Sequence, residues 1–239
     1  MRTAAKGEST VETRALRGSR RPMPIPAPEA AMMAEQRRRN RFLACGIPPR
    51  FSESDFSGYV VQDACSEYAK ARGKVLEVCR AYAGRFPEHA ALGRSMIFTG
   101  APGTGKTMLA CIIAKSVIER GMSAKYATVY RLAGEVKDTY GRSSETERDV
   151  FARYITPDLL VLDEVGMQYG TDTERLALWE VMNGRYESMK PTILVSNLTA
   201  KEIAGYVGDR VIDRMRENGG AVLAFTWESF RSRGGNENA

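Results

Sequence analysis

The chain has 239 residues, 43% of them apolar and 8% aromatic, which suffices for an ordinary packed core and argues against global disorder. No apolar run approaches the roughly 18 to 20 residues a membrane-spanning helix needs, so a soluble chain with no membrane partner is expected. The net charge of +6 is uneven, because residues 1–50 hold eleven Lys/Arg against four Asp/Glu while the remainder holds 24 against 25. The excess is a basic N-terminal arm on a nearly neutral body, suited either to nucleic acid or an acidic protein surface, or simply to solvent.

Cys45, Cys65, Cys79 and Cys111 show no C-x-x-C spacing and His89 is the single histidine, so no zinc site is expected. Four unpatterned cysteines suit a reducing compartment, and a cytoplasmic location is expected. Ser19-Arg20-Arg21 is followed by Pro22-Met23-Pro24-Ile25-Pro26 rather than by an apolar segment, so no export signal is read.

In chain order, residues 1–28 form an Arg/Ser/Thr-rich and then proline-punctuated lead. The Ala/Met/Gln/Arg/Glu composition of 29–43 predicts a helix, ended by Gly46-Ile47-Pro48-Pro49. Residues 50–58 look like a linker, and 63–80 predict a longer helix with Ala64, Tyr68, Ala71, Val75 and Val78 on one face. Strands are predicted at 96–99, 123–129, 159–162, 192–196 and 221–226. Helices are predicted at 106–119, 130–141, 145–154, 174–188, 200–206 and 209–216. The apolar runs are continuous rather than alternating, as in strands buried on both faces of a parallel sheet. The expected fold is α/β: a five-stranded parallel sheet flanked by helices, behind a small, mostly helical N-terminal segment. Residues 1–55 are assigned to that segment and 56–239 to the main domain.

Gly100-Ala101-Pro102-Gly103-Thr104-Gly105-Lys106-Thr107 follows a strand and opens a helix, the context that makes a P-loop credible. Glycines let the backbone aim N–H groups at phosphate oxygens, and the helix N-terminus adds its positive dipole end. Lys106 is expected to neutralise the β/γ-phosphates of ATP, the Thr107 hydroxyl to ligate Mg²⁺, and Met108 to lie beside the nucleotide. Leu159 to Leu162 followed by Asp163-Glu164 places Asp163 toward Mg²⁺ and Glu164 toward the attacking water. Asn197, directly after the fourth predicted strand, is either a γ-phosphate sensor or a turn residue. Arg210 and Arg214 share a helical face, either solvated or acting as fingers in a neighbouring subunit's site. Arg231 and Arg233 are similar candidates acting in cis. No NKxD-like element follows the strands, which disfavours a GTPase.

GAPGTGKT, LLVLDEVG, Ser196-Asn197, GDRVIDRMR and the ending Thr226-Trp227-Glu228-Ser229-Phe230-Arg231-Ser232-Arg233 together resemble the DnaC family of bacterial replicative-helicase loaders. The match covers roughly residues 40–233, including Asn40-Arg41 through Gly46-Ile47 and the stretch from Phe51 to Tyr59; residues 1–28 lie outside it. The resemblance implies an AAA+ ATPase with Asn197 as sensor 1, Arg214 as arginine finger, Arg210 as its neighbour in box VII and Arg231 as sensor 2. It implies a spiral hexamer of loaders on a DnaB-type helicase hexamer, holding it open for single-stranded DNA, with weak ATP hydrolysis accompanying release. The N-terminal segment would bind the helicase. The helices near 130–154 would line a DNA channel through Arg131, Lys137, Tyr140 and Arg142, unless they are an amphipathic surface. The loop 166–173 faces the same side in the family. The dozen residues after the last strand are too few for a C-terminal helical lid, which these loaders also lack. An IstB-like transposition ATPase shares the core but directs a transposase, and a nucleotide-gated adaptor is a third reading.

Overall fold

In a computed structural model, residues 27–59, 67–141, 144–167 and 171–230 are described. Helix α1 (Ala27–Cys45) is exposed along most of its length, and only its last turns, through Phe42 and Cys45, reach the core. It stops where Gly46 turns left-handed (φ +80°) ahead of Pro48. A short 3-10 turn (Pro49–Phe51) follows, and Ile47, Phe51 and Phe56 also pack on the core. The packing therefore crosses residue 55 without a break.

α2 (Glu67–Gly84) leads into α3 (Phe86–Ala91) and β1 (Met96–Gly100). The predicted apolar face of α2 is buried only in part, at Val75 and, less fully, Ala71. Tyr68 and Val78 are exposed, while Ala69, Arg72, Val75, Leu76, Cys79, Tyr82 and Ala83 are buried. The buried stripe includes an arginine because the rings of Trp227 and Phe230 receive its guanidinium, which an apolar count cannot see. α3 was not expected: at six residues, with Pro87 in its first turn, it is too short to show a period.

α4 (Lys106–Glu119), β2 (Ala124–Thr128), α5 (Val129–Asp138), α6 (Glu147–Ile155) and β3 (Leu159–Asp163) come next. α7 (Asp172–Glu187), β4 (Thr192–Val195), α8 (Ala200–Val207), α9 (Asp209–Arg216) and β5 (Ala221–Phe225) complete the order. Capping boxes start α6 (Thr146 with Asp149), α7 (Thr171 with Glu174) and α8 (Thr199 with Glu202), satisfying amide groups the helices leave open. The predicted helix at 63–80 begins partly outside the described residues.

The five strands are parallel, in the order β2-β3-β4-β1-β5. Within each continuous apolar run, alternate residues enter different cores. Met96, Phe98, Leu159, Val161, Ile193 and Val195 join α2 and α4 on one face. Ile97, Leu160, Leu162 and Leu194 join α5, α6, α7, α8 and α9 on the other. Among the described residues no lid helices follow β5, and no helix is long and apolar enough to cross a membrane.

Arg185 is 1% exposed and donates to the carbonyls of Tyr154, Ile155, Pro157 and Pro191 and to Thr192 Oγ1, fastening α7 to the starts of β3 and β4. His89 stacks on Tyr82 with ring centroids 4.6 Å apart, and its Nδ1 is buried without a partner. Burial, helped by Arg94 and Arg85, lowers its pKa. The unfolded chain then binds the proton first, so the contribution of His89 is complete above about pH 6.5 and is lost as the pH falls through that value toward the folded pKa. Stability measured by denaturant titration is expected to fall less steeply between about pH 6.5 and 5 in His89→Phe than in the wild type; parallel curves would remove His89 as the cause.

Candidate functional site

Three glycines in left-handed conformations carry the chain from β1 to α4: Gly100 (φ +130°), Gly103 (φ +79°) and Gly105 (φ +91°). Space demands the same residue. A Cβ on Gly100 would lie 2.2 Å from the carbonyl oxygen of Phe225, and one on Gly105 would lie 2.7 Å from the Tyr59 ring. Gly105 precedes α4 with no side-chain cap, leaving first-turn amides for an anion. Lys106 is 5% exposed, and its Nζ donates to the carbonyls of Gly100 and Ala101 at 2.6 and 2.7 Å. The Thr104 hydroxyl is turned inward onto the Ala101 carbonyl at 2.8 Å, so Thr104 shapes the loop while Lys106 and Thr107 line its cleft.

The loop is held from behind by chain segments distant in sequence. The Thr104 carbonyl accepts from Trp227 Nε1 at 2.9 Å and from the Tyr59 hydroxyl at 3.2 Å. The Phe230 amide donates to the Gly103 carbonyl at 3.0 Å. Arg72 is buried beside these rings, 4.6 Å from the Phe230 centroid and 5.8 Å from that of Trp227.

Asp163 ends β3 opposite the loop. Thr107 Oγ1 and the Tyr126 hydroxyl each donate to its Oδ2 at 2.8 Å, and the Glu164 amide donates to Oδ1 at 2.8 Å. The last bond accompanies a positive φ at Glu164 (+60°), uncommon for a non-glycine residue and of the kind found at functional turns. The Glu164 side chain is exposed to the cleft. Burial, then the charge of Asp163, pushes the Tyr126 phenol far above its ordinary pKa, so it stays a donor.

Asn197 follows β4 and donates through Nδ2 to Met167 Sδ at 3.1 Å. These groups surround a cleft of about 810 Å³, to which Arg50, Phe51, Tyr59, Pro102, Met108 and Phe230 also contribute. That volume accommodates a nucleoside triphosphate. Thr107 Oγ1 keeps its lone pairs while its O–H donates to Asp163, so this pair is chemically suited to Mg²⁺. Among the described residues no cluster of three or more His, Cys, Asp or Glu could hold a metal alone, so such a cation would depend on phosphate oxygens as well. Burial raises the thiols of Cys45 and Cys79 to about 11 and about 12, leaving them protonated at neutral pH and unsuited to nucleophilic work.

Other sequence candidates lie elsewhere. Arg214 donates to Asn183 Oδ1 at 2.7 Å and stacks 4.3 Å over the Tyr186 ring. It borders the same recess as Ser95 and Thr192, at the starts of β1 and β4, whereas the phosphate loop follows the end of β1. It is therefore remote from its own chain's loop. Arg210, one turn earlier on α9, is exposed. Arg131 is paired with Glu135, which also binds Arg153, while Lys137 and Tyr140 are exposed on the helical side formed by α5. Met167, in the loop assigned to the DNA-facing side, lines the nucleotide cleft; residues 168–170 are outside the described set. Arg142, Arg231 and Arg233 also lie outside the described residues.

The family model described as IstB-like ATP binding protein matches residues 88–234. The chain belongs to the IstB/DnaC family of AAA+ ATP-binding proteins. It is 34% identical over 205 residues to the replicative helicase loader DnaC of Escherichia coli K12, covering 86% of this chain and 79% of that protein. It is 35% identical over 187 residues to the replicative helicase loader DnaC of Buchnera aphidicola subsp. Acyrthosiphon pisum, covering 78% and 72%. The crystal structure of a DnaC helicase loader superposes with a TM-score of 0.64 at 20% identity, covering 74% of this chain and 99% of that one. The last likeness shows the AAA+ fold.

Sequence reading missed the supports of this AAA+ site: Tyr59, Tyr126, Trp227 and Phe230. Tyr126 left one signal, a phenol within a strand expected to be buried on both faces, where its hydroxyl requires a partner. At the loop itself, Gly100→Ala adds a Cβ against a backbone carbonyl and a disfavoured φ, and is expected to destabilise the fold by more than about 3 kcal/mol. Urea unfolding measures it; a cost below about 1 kcal/mol would contradict the close approach described here.

Proposed function

We propose that this chain is an ATP-dependent loader that binds a hexameric replicative helicase of the DnaB type and delivers it to single-stranded DNA at the initiation of replication. The observation that carries the reading is the 34% identity to a replicative helicase loader across 79% of that protein's length, well beyond the ATP-binding motifs. ATP is the nucleotide, with Gly100, Ala101, Pro102, Gly103, Thr104 and Gly105 forming the cradle and Met108 beside it. Lys106 swings from the loop carbonyls to the β/γ-phosphates, while Thr107 and Asp163 serve Mg²⁺. Glu164 orients the attacking water, and Asn197 exchanges Met167 for the γ-phosphate or that water. Hydrolysis is weak and times release.

Arg214 completes a neighbouring subunit's site in a spiral hexamer, with Arg210 beside it. Its place at the recess by the starts of β1 and β4, away from its own loop, supports action in trans. Arg231 is the sensor 2 residue. Residues 1–55 contact the helicase; within them α1 offers an exposed run of Arg37, Arg38, Arg39 and partly exposed Arg41. Arg131, Lys137, Tyr140 and Arg142 line the DNA path, where Tyr140, 60% exposed, is available for base stacking. A second reading, a transposition helper that binds DNA and directs a transposase, draws on the match to the IstB-like family model.

Co-purification with the host's replicative helicase, with and without ATP, is expected to yield a complex in which the helicase loads onto single-stranded DNA. A chain that forms no complex under either condition is not a loader. In the assembled state Arg214→Ala is expected to lower ATP turnover about tenfold or more with ATP binding unchanged. Unchanged turnover would remove Arg214 from the neighbour's site.

A further inference from the structure

Asp163 receives a hydrogen bond from outside the phosphate loop and its own turn. Tyr126 OH and Thr107 Oγ1 meet at the same oxygen, Oδ2, both at 2.8 Å. Tyr126 comes from β2, whose register pairs Tyr126 with Val161 and Thr128 with Asp163. Side chains two apart share a face of a sheet, so the phenol reaches along β3 toward the carboxylate. Tyr126 is 8% exposed, among the residues packed between the sheet and α4, and does not border the nucleotide cleft.

A carboxylate has about four lone-pair positions, two on each oxygen. On Oδ2, Thr107 and Tyr126 occupy both. On Oδ1 the Glu164 amide occupies one and a second remains. Donors on both oxygens fix the plane of the carboxylate and leave Oδ1 and the Thr107 oxygen to serve a cation or its water shell. Without the phenol, Oδ2 regains a free lone pair and the carboxylate can rotate about its Cβ–Cγ bond. A side chain that merely filled strand β2 would impose no such choice between the two oxygens.

We propose that Tyr126 is a positioning residue for the divalent cation of the nucleotide site, acting through Asp163 and touching neither metal nor nucleotide. The proposal rests on the reading that Asp163 and Thr107 serve that cation. Outer partners of metal-binding side chains are worth about 10- to 100-fold in metal affinity.

The test uses the full chain saturated with ADP, with Mn²⁺ binding followed by electron paramagnetic resonance and ADP affinity measured separately in chelator. Tyr126→Phe keeps the ring and removes the hydroxyl. It is expected to weaken Mn²⁺ binding about tenfold or more, while metal-free ADP affinity stays within about twofold. Asp163→Asn, run in parallel, is expected to lose the Mn²⁺ site. Wild-type Mn²⁺ affinity in Tyr126→Phe, with the site lost in Asp163→Asn, overturns the role of Tyr126 alone. Wild-type affinity in Asp163→Asn overturns the metal assignment and this proposal with it. Equal weakening of Mn²⁺ and metal-free ADP binding by Tyr126→Phe would mark a general structural effect and also overturn it. Should Tyr126→Phe show no cooperative melting, Tyr126→Leu is read in the same assay with the same outcomes.

Discussion

The backbone of the glycine loop passes so close to other parts of the chain that the site exists only when those parts are in place. Gly100 lies against the carbonyl of Phe225 at the end of β5, and Gly105 against the ring of Tyr59. One carbonyl, that of Thr104, accepts from both Tyr59 and Trp227. A phosphate cradle must hold its amide groups in a fixed concave arrangement, and a glycine-rich loop has too much freedom to do so unaided. Here the carbonyls of Gly103 and Thr104 are tied down by Phe230, Tyr59 and Trp227, which restricts that freedom. The segments before α2 and after β5 are therefore structural parts of the nucleotide site, although neither belongs to its sequence motif.

The opposite wall follows a similar logic with charge instead of space. Asp163 is buried at the end of β3 and its carboxylate is surrounded by donors: a hydroxyl from the loop, a phenol from β2 and the amide of Glu164. A buried carboxylate that lacked such donors would be costly. The donors replace the water this carboxylate loses on burial beside the cleft. The left-handed turn at Glu164 supplies one donor and also sends the neighbouring carboxylate into the cleft, so the two acids reach different environments from adjacent positions.

The sheet separates this site from Arg214, which borders a recess at the other ends of β1 and β4. A guanidinium there, bonded to Asn183 and stacked on Tyr186, is half-buried and ordered by its own chain. Within the proposed spiral, one subunit would present a phosphate site at one end of its sheet and an arginine at the other, an arrangement that repeats head to tail. Each copy would then need a neighbour for its ATP to be turned over.

The sequence by itself determined the strand and helix succession apart from the six-residue α3, the parallel α/β class and the chain positions of the phosphate loop, Asp163-Glu164 and Asn197. These are local signals: continuous apolar runs bounded by turns, glycines that demand positive φ, and a carboxylate at the tip of a strand. Only the tertiary structure decided the buried face of α2, because Arg72 is covered by aromatic rings from the far end of the chain and no hydrophobic pattern records that contact. It also brought Tyr126 to Asp163 and Tyr59 and Trp227 to Thr104, across separations of 37, 45 and 123 residues. Periodicity sees neighbours a few residues apart; a hydrogen bond between distant strands depends on which strands the fold sets side by side. The loop could thus be located from sequence, but what holds its carbonyls, and what fixes the orientation of the acid facing it, followed from the packing of the sheet.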